Sequence, residues 1–348
     1  MGGRFRVQSI IVGTLIGFAC AAILLRQVNL RESWQTLSRL GGPFLIVPVA
    51  VFFVNLPIRA WRWQLIFPVA SRPKLTSCLI ALGIGNMANF LLPGRAGDLA
   101  RCTLATHNAS LLESSRTLAT LAVEKISDGL AIVGMVLIAI YALHPPAWVL
   151  GALRTAAIIF GGALLLLILF RYRTRAVIDW VRRLFGRIGL SSFEEKFDTL
   201  MTSFADGLST ISSFHQLLLL MILSTVVWIT EASLTWGLAA ALGLTVNFRS
   251  AVMASAILGL GLIIPSAPGG LGTYELFGTE AFKIAGLTAS SALTVTIVIH
   301  AWVFVTNVMA GLALLALKGL SLAQLRRELG KSTAFQSSRV EHRVRPSE

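Results

Sequence analysis

Charge is scarce in this sequence. Charged residues make up 13% of the 348-residue chain and hydrophobic residues 55%, with a mean hydropathy of +0.76. That balance excludes an ordinary soluble domain. Cysteine is rarer still: Cys20, Cys78 and Cys102 lie in or near apolar runs with no short pairing, which argues against a disulfide framework or a zinc site. Strand-like alternation is missing, so helices rather than barrel strands must cross a membrane. There is no G-x-x-x-x-G-K-[ST], no H-E-x-x-H and no G-x-S-x-G, and so no motif for nucleotide hydrolysis, zinc proteolysis or a nucleophile elbow. No cofactor and no metal are expected. Acids number 16 against 30 Lys and Arg, a net charge of +14. Most of the basic residues flank apolar runs in loops and tails, where the positive-inside bias accounts for them without a nucleic-acid partner.

What is present is a series of apolar runs. Crossing about 30 Å of hydrocarbon takes roughly 20 helical residues. Six stretches qualify as full spans: 9–25, 42–58, 117–143, 148–170, 217–242 and 289–317. A cleavable signal peptide is the alternative reading of the first. Between spans two and three lies 76–107, and between spans five and six lies 251–285; each holds a Pro-Gly break. The legs after the breaks, DLARCTLATH and TYELFGTEAFKI, reach only roughly 15–18 Å at 1.5 Å per residue. Both segments are therefore expected to enter, turn and leave on the same side. With both termini in the cytoplasm, 21 Lys and Arg face inside and four (Arg26, Arg31, Arg39 and Arg249) face outside. The stretch from Arg171, RYRTRAVIDWVRRLFGRIG, reads as an amphipathic helix on the inner leaflet. The later part of that linker, SSFEEKFDTLMTSFADG, reads equally as a solvated loop. The tail 331–348 is polar and expected to be disordered.

The breaks repeat. PGRAG at Pro93–Gly97 is echoed by PGGLG at Pro268–Gly272, 175 residues on, and each is followed by an acid, Asp98 or Glu275. The first break enters from the cytoplasm and the second from outside. The halves, about 42–143 and 217–318, then read as inverted copies, the arrangement that points to a transport site near the midplane. The expected fold is thus an all-α polytopic membrane protein. It has six full transmembrane helices and two re-entrant helical hairpins in an inverted-topology repeat, all within one integral membrane domain, 1–330. At each break Pro93 or Pro268 removes a donor, while Gly94, Gly97, Gly269, Gly270 and Gly272 leave backbone uncovered. Free amides at a helix start suit an anion such as a lipid phosphate; alternatively Asp98 and Glu275 simply cap those starts.

At these residues the sequence resembles the family named for the transmembrane domain of lysylphosphatidylglycerol synthases, also called flippase-like membrane proteins. The matching stretches are RAWRWQLIF at Arg59–Phe67, LLPGRAGDLAR at Leu91–Arg101, VEKISDGLAI at Val123–Ile132 and PSAPGGLGTYE at Pro265–Glu275. In the synthases this domain is thought to move aminoacylated phosphatidylglycerol across the membrane, while a separate soluble domain makes it. Ending at Glu348, this sequence has no room for that domain, so the resemblance implies the translocating part alone. Some stand-alone relatives are associated with hopanoid or glycolipid pathways.

Charges within membrane segments need a partner or a use. Arg59 and Arg62, with Trp61 and Trp63, are either an interfacial anchor or a clamp on a headgroup phosphate. Asp98 and Arg101, three apart, are placed to pair. Arg95 is a candidate phosphate ligand or the partner of Glu124 or Asp128. Those two acids, four apart, share a face and repel unless a cation or proton lies between them. Glu231 has no basic residue on its helix, so it is either paired across helices or protonatable. Glu280 and Lys283 are placed to pair, and His300 and Asn307 read as buried hydrogen-bonding residues. The expected function is a lipid translocase for an anionic or aminoacylated phospholipid in a bacterial inner membrane. The alternatives are an intramembrane lipid-modifying transferase and a scaffold of a lipid or glycolipid pathway. The partners would be a membrane phospholipid or lipid-linked substrate, with a second copy of the chain or a separate lipid synthase beside it.

Overall fold

The structure, a computed structural model, describes residues 29–92, 96–105, 111–143, 146–187, 194–261 and 268–318, together with Cys20, Ala22 and Arg26. The expected first span and the polar tail fall almost wholly outside the described residues, as do Pro93, Gly94 and Arg95.

Regular structure among these residues is helical. The helices are α1 (Leu30–Leu37), α2 (Ile46–Ile66), α3 (Leu75–Leu91), α4 (Ala96–Leu104), α5 (Leu111–Leu143) and α6 (Ala147–Arg187). They continue with α7 (Glu194–Gly207), α8 (Phe214–Ala241), α9 (Phe248–Gly261), α10 (Thr273–Ile284) and α11 (Ala289–Leu317). Several starts carry the side-chain oxygen that satisfies free N–H groups: Asn29 for α1, Ser213 for α8 and Thr288 for α11.

Among the described residues, four segments are long and apolar enough to cross a membrane: Pro43–Ile66, Ala147–Arg183, Phe214–Ala241 and Ala289–Leu317. Helix α5 is as long, but Glu113, Arg116, Glu124, Lys125 and Asp128 interrupt its apolar sequence. The molecule has the polarity of a membrane protein. Phe53, Ile138, Ile158, Leu166, Met309 and Leu317 are exposed, whereas Arg62 is 0%, Arg101 1% and Glu124 1% exposed. In water that distribution would be inverted; in lipid it shields charge from hydrocarbon.

The helices on either side of each break pack on each other as a pair. Helices α3 and α4 pack antiparallel, with Gly85 against Gly97 and Asn89 against Asp98. Helices α9 and α10 do the same, with Gly261 against Phe277 and Leu258 against Gly278. Helix α11 runs antiparallel to α3, through Gly83–Leu314 and Met87–Gly311, and antiparallel to α10, through Gly278–Thr296. It follows that α3 and α9 point in opposite directions, so the hairpins enter the bundle from opposite ends. Phe90, near the end of α3, lies against Gly269. Other contacts come in matching sets: α3 on α11 answers α9 on α5, and α2 on α3 answers α8 on α9. Helices α2 and α8 cross antiparallel at Asn55 and Thr230, which are 175 residues apart.

Some boundaries differ from the sequence reading. Helix α2 runs on to Ile66, so Arg59 and Arg62 belong to the helix body rather than to a flanking loop. Helix α6 continues past the expected end at 170 with a break at Arg173 (φ −115°, ψ 21°) and carries much of the amphipathic stretch. The segment read alternatively as a solvated loop contains α7, which packs on α5 and α6.

Candidate functional site

Close approach shapes the first hairpin. A Cβ on Gly97 would lie 1.9 Å from the Gly85 carbonyl oxygen and 2.7 Å from the Asn89 nitrogen, so the two backbones touch there. Asn89 satisfies the start of α4 from the facing helix. Its Oδ1 accepts from the Asp98 N–H at 3.2 Å, and its Nδ2 donates to the Asp98 carboxylate at 3.1 Å. A side chain from the facing helix thus does locally what an N-cap does.

Behind this hairpin lies a cluster of charges. Arg62 donates to Asp128 through Nη1 and Nη2, to Glu124 at 3.2 Å and to the Ser224 hydroxyl at 2.9 Å. Arg101 donates to the other Glu124 oxygen at 2.7 Å, lies 3.8 Å from Asp98, and has its guanidinium 4.3 Å above the Trp63 ring. Lys125 Nζ is 3.9 Å from Asp98. The Trp228 indole donates to Asp128 and the Trp63 indole to Thr120. Three cations therefore face three acids, and Arg62 is the cation that lies between Glu124 and Asp128. Neither the interfacial-anchor reading nor an open phosphate clamp fits Arg62, because its side chain is fully buried and committed to carboxylates. The sequence reading offered Arg95 as a partner of those acids and did not connect Arg62. The usable signal was the apolar sequence on both sides of it, which carries α2 on to Ile66.

The second hairpin turns on glycine. Gly269, Gly270 and Gly272 have φ of +71°, +83° and +87°, a region that side-chain-bearing residues rarely enter. Glu275 caps α10, the alternative offered for that acid: its Oε2 accepts from the Gly272 N–H at 2.6 Å. Its Oε1 lies 2.5 Å from His300 Nδ1, and His300 Nε2 lies 2.9 Å from the Gly269 carbonyl. The His300 ring stacks on Tyr274 at 4.3 Å. Lys125 and His300, each contacting the acid of its own hairpin, are themselves 175 residues apart in sequence. Asn307 bonds Asn86 across α3 and α11 at 3.2 Å, and Glu280 pairs with Lys283 at 2.8 Å.

Glu231 on α8 has its basic partner on another helix, α2. Arg59 donates to it at 3.0 Å and Asn55 at 3.2 Å. This pair is more open than the buried cluster: the two side chains are 21% and 27% exposed. A cavity of about 240 Å³ lies where α2 ends and α8 begins, lined by Arg62, Arg72, Gln216 and leucines including Leu219 and Leu223. Among the described residues no group of three His, Cys, Asp or Glu side chains is arranged to hold a metal ion.

The fold and its buried charges define a multi-pass helical membrane protein. Residues 10–311 match the family described as the lysylphosphatidylglycerol synthase TM region, and the chain belongs to that family. It is also similar to a protein of Haloferax volcanii named Glycosyltransferase AglD, at 24% identity over 326 residues. That match takes in 85% of this chain and 52% of the relative, so the chain spans about half the relative's length. No solved structure matches it.

Proposed function

We propose that the protein moves an anionic or aminoacylated phospholipid, or a related lipid, between leaflets. The carrying observation is the pair of helical hairpins that enter from opposite ends and meet at Phe90 and Gly269. In this reading the hairpins are re-entrant, the halves are inverted copies, and both termini are cytoplasmic. The 175-residue spacing of the two breaks supports the symmetry, as does the Asn55–Thr230 contact at the same offset. A twofold axis passes between any residue and its own symmetry mate when the two touch. The lipid tail stays in hydrocarbon while the headgroup passes the tips.

Arg59 is the best-placed phosphate ligand among the described cations. Its side chain is partly open, and in this reading its Glu231 partner gives way to the ligand. A phosphate would take the place of the carboxylate and gain bidentate geometry. Arg62 and Arg101 hold the helices together. Arg95 and the backbone at Gly94, Gly97, Gly269 and Gly270 remain candidates for the headgroup path.

A second reading draws on the relative's name: a part in a glycolipid pathway, as a lipid-modifying transferase or a scaffold beside one. Liposomes separate the two. Purified protein should bring a labelled anionic phospholipid to the opposite leaflet with its mass unchanged. A new lipid mass would support a transferase instead, and neither outcome would leave the scaffold.

A further inference from the structure

We infer that His300 and Glu275 form a proton-binding site whose occupancy ties the second hairpin tip to α11. The site itself rests on hydrogen-bond chemistry, and only its use as a coupling site rests on the translocation reading.

His300 is 5% exposed, and both ring nitrogens face oxygen: Nδ1 a Glu275 carboxyl oxygen at 2.5 Å, Nε2 the Gly269 carbonyl at 2.9 Å. A backbone carbonyl only accepts, so Nε2 carries hydrogen. A neutral imidazole has a single N–H. Nδ1 then either carries a second hydrogen and donates to the carboxylate, or is bare and accepts from a protonated Glu275. Both arrangements hold one proton more than neutral histidine beside ionised glutamate. The other Glu275 oxygen already accepts from the Gly272 N–H, which fixes the carboxyl against the ring.

Losing that proton breaks the arrangement. A bare Nδ1 facing a carboxylate at that distance is repulsive. If the remaining hydrogen moves to Nδ1, Nε2 presents a lone pair to the Gly269 carbonyl and the tie to the tip is lost. Gly269 is also the residue that Phe90 touches, so the proton governs the contact between the two hairpins. The site takes one proton from solution and returns one, with no other reactant. Among the described residues, the ionisable groups around it are Tyr274, stacked on the ring; Glu231 on α8, within electrostatic reach of Tyr274; and Cys20, within reach of Glu275. Helix α3 contributes Phe90.

The test uses the full chain in lipid nanodiscs. At pH 5.5, ¹⁵N-histidine spectra assigned with His300→Phe should show both His300 nitrogens protonated, or infrared difference spectra against Glu275→Gln should show a carboxylic acid band. Neutral imidazole beside ionised carboxylate overturns the site. A nitroxide on Leu271→Cys, at the exposed tip, should lose its immobilised component as pH rises. With Glu275→Gln, whose amide donates to Nδ1, the probe should stay immobilised throughout; with His300→Phe it should be mobile throughout. A probe indifferent to pH in the unsubstituted background overturns the tie. Lipid movement by a protein whose pair carries no proton sinks this inference alone; a proton-bearing pair in a protein that moves no lipid sinks the translocation reading alone.

Discussion

Glu124 holds Arg62 with one carboxyl oxygen and Arg101 with the other. Removing its charge takes one carboxylate partner from each of two buried guanidinium groups, and breaking a buried pair costs about 3–5 kcal/mol. Glu124→Gln should therefore lower thermal stability in detergent by that order; a loss below about 1 kcal/mol, the scale of an exposed pair, would contradict the cluster's structural role. Glu231→Gln should leave stability nearly unchanged, because its pair with Arg59 is partly open, yet alter lipid movement. Pairs at short spacing, Asp98–Arg101 and Glu280–Lys283, are legible in sequence because helical periodicity puts them on one face. The pairs Arg62–Glu124 and Arg59–Glu231 are not, since nothing local reveals which helices will face each other.

At the scale of elements, the hairpins stand on glycine contacts. Gly97→Ala would drive a methyl group into the Gly85 carbonyl, and overpacking costs about 1–3 kcal/mol. The expected readout is a lower unfolding temperature. Helix α1 offers a pH test. Its Glu32 accepts from the Thr288 hydroxyl, which holds the Glu32 carboxyl below its ordinary range. The stabilisation is therefore complete above the ordinary carboxylate range and fades as pH falls through the lowered value. Glu32→Gln at neutral pH should mimic acid, and hydrogen exchange across Leu30–Leu37 should rise while the Phe214–Ala241 amides stay protected. Unchanged exchange in α1 would refute the tie. The Pro-Gly breaks were legible because few residues interrupt an apolar helix. The extra length of α2 and α6 was not: Arg59, Arg62 and Arg171 look like loop charges until a partner or a surface is seen. The Asn89 cap was hidden for a similar reason, since its acceptor role depends on α4 folding back onto α3.

For the whole molecule, the account requires a topology and a path. Single cysteines at Ser110 and Leu287 should be labelled from the cytoplasmic and the outer side respectively; the same side for both would refute the inverted halves. The composition and the spacing of the breaks made the all-helical membrane architecture readable. The identity of the cargo is carried by neither, because a phosphate-sized anion would satisfy Arg59 whatever lipid bore it. The path through the centre of the molecule is tested most directly by transbilayer movement of an anionic phospholipid in liposomes holding either the unsubstituted protein or Arg59→Gln. A charged hydrogen bond is worth about 1.5–3 kcal/mol. The account predicts movement well above protein-free liposomes and a loss of about tenfold or more in the variant. Equal rates with and without Arg59, or no movement beyond protein-free liposomes, would contradict it.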